Sequence, residues 1–233
     1  LLLLHMDGSD GGTDFTDSSW VGVGTPGHRI TANGDATNQR PQPHDVTANG
    51  DAHLIGPKVG TSAIVFPGTT SDRLAIAASS DFNFGTGDWT VECFANVSSI
   101  SSKRCLWIIG THNVAGEVTV DIDTDGVASA TVRNAASTEY GVTSSKQVGI
   151  NEWHHYALVN NSGTMTIYVD GLDTGSVSIS GTIGSSSVVT SIGSRAASEY
   201  PLLGYLDEIR FSDTARYTAN FTPPTSTFTS DSN

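Results

Sequence analysis

"EVTVDIDTDGVASATVRN", residues Glu117–Asn134, decides the fold class. Val118, Val120 and Ile122 alternate with polar residues. Asp125-Gly126 is a tight-turn pair, and Ala128, Ala130 and Val132 resume the alternation on the way back. An apolar side chain at every second position lays one face of a strand on a core, whereas a helix needs spacings of three and four. The stretch therefore predicts a β-hairpin with a core face on each arm.

The same pattern runs outward in both directions. "WTVECFANV" (Trp89–Val97) and "RCLWIIG" (Arg104–Gly110) precede the hairpin. "EWHHYALVNN" (Glu152–Asn161), "TMTIYVDG" (Thr164–Gly171), "SVSIS" (Ser176–Ser180), "VVTSIGS" (Val188–Ser194) and "LLGYLDEIRFS" (Leu202–Ser212) follow it. Upstream, "SAIVFPG" (Ser62–Gly68) and "DRLAIAA" (Asp72–Ala78) read as a strand pair across a Gly/Thr turn. Leu1–Met6 reads as a buried strand, and Asp7–Trp20 as a polar, Gly-rich loop. About a dozen strands at roughly even spacing, with no long helical pattern, predict an all-β chain. The expected architecture is an antiparallel two-sheet sandwich or jelly roll over residues 1–213. Residues 214–233, polar and Pro-containing, read as an extended tail or linker, with one helical turn at Ala215–Tyr217. At 233 residues the chain can bury a core without staples.

Composition excludes several partners. The net charge is −13, from 11 basic and 24 acidic side chains, and no Lys/Arg cluster exists. Nucleic acid and anionic membrane surfaces are thereby excluded as partners. An acidic, Lys-poor surface suits calcium-containing or salty surroundings, or simply solubility. No stretch reaches transmembrane length. "LLLL" lacks the charged n-region and the length of a signal peptide, and residue 1 reads as a processing point or module boundary. Cys93 and Cys105 flank a stretch centred on Ser99, so a hairpin there would set them opposite each other. A disulfide and two free core thiols both remain open.

Four segments together resemble a known family. "GDWTVECFANV", "NEWHHYALVNNSGTMTIYVDG", "LLGYLDEIRFSDTARY" and the opening "LLLLHMDG" resemble the strands of laminin-G-like, concanavalin A-like jelly rolls, in that family's order. With "ARYTANFTPPT" after the last strand, the chain is similar to modules of phage tail and fibre proteins and of large bacterial surface proteins. The resemblance implies an extracellular, virion or cell-surface setting. It implies a non-catalytic structural or adhesion module, partnered by neighbouring copies of itself or other assembly subunits. The alternative is a lectin that binds glycans through loops at one end of the sandwich.

Candidate sites follow from chemistry. In "YLDEIRFS", the period of two puts Tyr205, Asp207, Ile209 and Phe211 on one face. A carboxylate on an apolar face must be paired, protonated or ligated. The resemblance implies a structural calcium held by Asp207 with Asp7 and Asp17 near the first strand. The alternative is that loop amides or an arginine satisfy Asp207. "DIDTDG" (Asp121–Gly126) opens like an EF-hand loop, but Val132 stands where that loop needs a bidentate Glu, so turn chemistry explains it. His154 and His155 lack a third zinc ligand at any telling spacing. The resemblance makes one a core histidine and the other a surface one. Trp89 and Trp153 occupy expected strand positions and read as core, leaving Trp20, in a loop, as the candidate ligand contact. Glu117, Asp121 and Asp123 are the nearest carboxylates to a glycosidase pair, but no E-x-D-x-E pattern, G-x-S-x-G or P-loop exists. The expectation is that the protein is not an enzyme. Asn96, Asn160 and Asn220 head N-x-S/T sequons.

One further feature is a repeat. "HRITANGDA" (His28–Ala36) returns as "HDVTANGDA" (His44–Ala52). Two copies are too few for a solenoid, so residues 31–52 read as one duplicated sixteen-residue unit inside the domain. One copy is expected on a family strand and the other as a bulge or added edge strand contacting a neighbouring subunit.

Overall fold

The computed structural model describes residues 3–4, 15–17, 28–30, 46–49, 52–55, 57–69, 71–184, 187–195 and 199–229. Their strands are β1 (Leu3–Leu4), β2 (Phe15–Asp17), β3 (His28–Ile30), β4 (Val46–Asn49), β5 (His53–Ile55), β6 (Ala63–Pro67), β7 (Arg73–Ile76), β8 (Trp89–Val97) and β9 (Arg104–Ile109). They continue with β10 (Val118–Ile122), β11 (Val127–Arg133), β12 (Glu139–Gln147), β13 (Trp153–Asn161), β14 (Thr164–Val169), β15 (Leu172–Ser178), β16 (Thr190–Ile192) and β17 (Leu203–Ser212). One short 3-10 turn, Ser80–Phe82, interrupts them.

The strands form two antiparallel sheets. One runs β15-β14-β13-β8-β17 and then divides, because the start of β17 pairs with β6 and its end with β1. The second runs β12-β11-β10-β9-β16-β7-β4. The chain is a concanavalin A-like jelly-roll sandwich, with its first and last strands side by side. The opening hairpin forms in the expected register: Val118 faces Val132, Val120 faces Ala130 and Ile122 faces Ala128. All six lie in the core between the sheets, with Trp89, Trp107, Phe66, Leu158 and Phe211. Burial of this area is the main stabilising term.

Several expectations are corrected. "SAIVFPG" and "DRLAIAA" are not a hairpin: β6 joins the first sheet and β7 the second. Cys93 on β8 and Cys105 on β9 likewise belong to opposite sheets, and both are free, buried thiols. Burial pushes both thiols well above their usual pKa. Ala215–Tyr217 forms no helical turn.

The segment after β17 is not a free linker. It straps across the outer face of the first sheet, where alternate residues of β8 receive it. Thr90 Oγ1 donates to the Thr214 carbonyl at 2.7 Å and accepts from the Arg216 amide at 3.0 Å. Tyr217 and Phe221 stack 3.5 Å apart over Ala157, Val159 and Tyr168. Phe228 packs with Phe94, Val59 and Leu3. The strap is extended and docks through a few widely spaced aromatic residues, Tyr217, Phe221 and Phe228, among mostly polar ones, so its sequence reads as polar overall.

Of the duplicated unit, residues 31–45 and 50–51 lie outside the described residues. The described parts end the two sheets: β3 of the first copy closes one, and β4 of the second closes the other.

Candidate binding site

Asp207 lies where the period of two fails. A β-bulge between Asp207 and Arg210, with Glu208 at φ 49°, shifts the register of β17 against β8. Ile209 and Phe211 turn into the core, while Asp207 opposes Phe94 on the strap-covered face. Its Oδ2 accepts from the Lys58 and Val59 amides at 2.8 Å each, and its Oδ1 from the Glu208 amide at 2.8 Å. Burial raises its pKa to about 7, against the pull of those amides. This surrounding fits a carboxyl satisfied by loop amides. Calcium takes six to eight oxygen ligands, and the described residues around Asp207 supply backbone amides. Asp7 lies outside the described residues, and only the backbone of Asp17 is described. Among the described residues no group of three or more His, Cys, Asp or Glu could hold a metal.

Three carboxylates of the opening hairpin, Glu117, Asp121 and Asp123, pair with cations. Glu117 is fully buried. Its oxygens lie 2.8 Å from His112 Nδ1 and 3.1 Å from Arg133 Nε, and accept from the Asn113 amide at 2.9 Å. Asp121 pairs with Arg195, whose guanidinium also lies over the Tyr200 ring at 4.9 Å. Burial raises the Asp121 pKa, and Arg195 opposes the rise. Asp123 pairs with Lys103 at 2.7 Å, and Asp125 Oδ1 accepts the Val127 amide at 3.1 Å as a turn residue does. A carboxylate already bonded to a guanidinium is poorly placed to exchange protons with a substrate.

The histidines take different partners. His154 Nδ1 lies 2.8 Å from Asp170 Oδ2, which also accepts from Lys146 Nζ at 2.6 Å. Burial would raise the Asp170 pKa, but these bonds hold it well below the carboxylate range. His155 is buried under the strap, with Nε2 3.0 Å from Glu92. Trp89 and Trp107 are core residues, whereas Trp153 sits half-buried beside Phe94 on the outer face. Trp20 lies outside the described residues.

Sequence reasoning passed over one feature at the turn end of the sandwich. A cleft of about 250 Å³ lies between the Gly85-Thr86 turn, the β13–β14 turn and the chain leaving β15. Its walls are pinned. Gly85 and Ile183 exchange backbone bonds of 3.1 and 2.7 Å, and the Ile179 amide donates to the Gly163 carbonyl at 2.8 Å. Ile179 and Ile183 supply an apolar floor, while Thr86, Asn160, Ser162 and Ser180 supply polar atoms. Asn160 had appeared in the sequence only as a sequon head. Its signal was position: it follows the apolar run of β13 and precedes a Ser-Gly turn.

The fold and this cleft define the chain as a two-sheet β-sandwich with a preformed, uncharged recess among its end loops. The family described as the concanavalin A-like lectin/glucanases superfamily, laminin G type, matches residues 68–220, and the chain belongs to it. No curated protein matches the chain. Among solved structures, the botulinum neurotoxin serotype G binding domain is similar at TM-score 0.66 and 11% identity, covering 93% of this chain and 48% of that one. The binding domain of Paraclostridial Mosquitocidal Protein 1 is similar at TM-score 0.60 and 14% identity, covering 74% of this chain and 45% of that one. Domain 4 of a GH43 extracellular arabinanase from Geobacillus stearothermophilus, in complex with arabinotriose, is similar at TM-score 0.57 and 15% identity, covering 75% of this chain and 84% of that one. The chain thus spans less than half of either toxin domain. At these identities the likeness shows the fold alone.

Proposed function

We propose that this chain is a non-catalytic binding module that works outside the cell, on a virion, fibre or cell surface, and holds glycans through loops at one end of its sandwich. The observation that carries the reading is the turn-end cleft, with bonded backbone walls and no charged side chain in its lining. Similarity to toxin binding domains and to an arabinotriose-bound domain supports it. Arginine pairing of Glu117 and Asp121 supports binding over hydrolysis. A glycan array probed with the purified chain tests the reading, and a chain that binds no glycan on it defeats the reading.

Packing against neighbouring copies is a second reading, favoured by one observation. β3 and β4, the described parts of the two copies, end the two sheets, and among the described residues no further strand pairs with them there. Deleting residues 31–46 should then weaken self-association in sedimentation while leaving the circular dichroism of the sandwich unchanged. Calcium enters the proposal only through Asp7 and Asp17, since amides satisfy Asp207.

A further inference from the structure

The duplicated unit puts nearly the same sequence in two places of the fold. Residues 28–36 and 44–52 differ only at Arg29, where the second copy has Asp45, and at Ile30, where it has Val46. From the second copy, Val46–Asn49 forms β4 and ends the second sheet. Val46 opposes Ile76, Thr47 opposes Ala75, Ala48 opposes Leu74 and Asn49 opposes Arg73. Ala52, which follows shortly after, is buried in the core. From the first copy, His28–Ile30 forms β3 instead and pairs with β2 in the other sheet.

The choice of strand does not come from the copies themselves. Every residue that β4 and Ala52 use has a counterpart sixteen positions earlier, in Ile30, Thr31, Ala32, Asn33 and Ala36. Leu74 and Ile76 are fully buried in the core, and opposed residues share a face, so the register asks for small or apolar residues at positions 46 and 48. Ile30 and Ala32 meet that demand equally well, Ile30 with one methylene more than Val46. An exchange of copies moves the surplus sixteen residues from before the strand to after it, and loop closure depends only weakly on length. What the exchange gives up is the pairing of β3 with β2, in which Ile30 opposes Phe15. That short ladder biases the choice toward the second copy.

We propose that the place beside β7 is served by two interchangeable strands: residues 30–33 take it, with Ile30 opposite Ile76 and Ala32 opposite Leu74, whenever Val46–Asn49 leaves. This exchange depends on neither reading of function above. A sheet with two near-identical candidates for one position slips between them, because nothing in the sequence penalises the second register. A chain built this way keeps Leu74 and Ile76 covered when an edge strand leaves its sheet.

The test uses the whole chain and reads stability first. Ala48→Asp sets a carboxylate opposite Leu74, and Ala32→Asp changes the equivalent residue of the first copy. Each single variant should melt within about 4 °C of the wild type, because the other copy fills the place, whereas the double variant should fall by ~8 °C or more. Ala48→Asp alone falling as far as the double variant would overturn the proposal, and so would a double variant as stable as the singles. Disulfide trapping then reads the strand itself. Cα atoms of paired residues lie within disulfide reach, so Thr47→Cys with Ala75→Cys should cross-link on oxidation. Thr31→Cys with Ala75→Cys should cross-link within one chain as well, and ~10-fold faster or more once Ala48→Asp makes the minor arrangement the major one. Ala75→Cys alone is the control for the buried native thiols Cys93 and Cys105. If the Thr31→Cys pair forms no cross-link in the Ala48→Asp background, or forms one only between chains, the strands do not exchange.

Discussion

Glu92→Gln is expected to loosen the C-terminal strap and to destabilise the fold by ~3–5 kcal/mol. Glu92 is fully buried on β8, facing the strap. Its Oε1 accepts from Arg210, through Nε at 2.8 Å and also through Nη2. Its Oε2 accepts from the Tyr217 hydroxyl at 2.8 Å and lies 3.0 Å from His155 Nε2. Burial alone would raise the Glu92 pKa, but the His155 bond and the Arg210 charge outweigh it and keep the carboxylate ionised. Glutamine keeps the shape and removes the charge. Arg210, 4% exposed and donating to the Thr229 carbonyl at 2.7 Å, would then be a buried cation without a counter-ion. For a chain of this length ~3–5 kcal/mol corresponds to a fall in Tm of about 6–20 °C. Calorimetry measures the fall, and amide hydrogen exchange across Thr214–Thr229 measures strap release. Replacing Glu92 and Arg210 together by methionine should recover most of the loss, because no lone charge stays buried. A Tm within about 2 °C of wild type in Glu92→Gln, or strap exchange that does not accelerate, refutes the ion cluster as the strap's anchor.

Asp207 governs a pH dependence of definite sign. Its folded pKa of about 7 lies above the ~3.9 of an unfolded chain, so the folded state takes the proton first. Its contribution to stability therefore declines as pH rises from about 4 to about 7 and stays level above. Asp207→Asn should flatten that part of the stability curve, and an identical slope in both proteins contradicts the assignment. Gly171, at φ +75°, passes directly under the strap, where a Cβ would collide with the Phe221 carbonyl. Gly171→Ala is expected to lower stability by at least ~1–3 kcal/mol in urea melts, and an unchanged midpoint would mean the strap does not dock there. Chelation by EDTA should leave the Tm unchanged, since Asp207 is held by amides. A drop of several degrees would instead support the calcium expected at Asp7, Asp17 and Asp207.

What the sequence determined by itself was local. The β10–β11 hairpin was legible to the residue because alternation and the Asp-Gly turn specify register within one short stretch. Family resemblance then supplied the order of strands. Sheet membership was hidden, because both sheets of a sandwich face one core and an inward-pointing residue carries the same pattern in either. Ser62–Gly68 and Asp72–Ala78 were read as partners for that reason, and Cys93 and Cys105 as possible neighbours. The bulge at Asp207–Glu208 was equally invisible, since one inserted residue reverses the face of all that follow. Only the tertiary structure decided the rest. Glu92 meets Arg210 across 118 positions, and Asn160 meets Gly87 across 73. No window of sequence contains such pairs. The strap's anchor and the turn-end cleft therefore exist only once long-range strand pairing has brought these distant segments together.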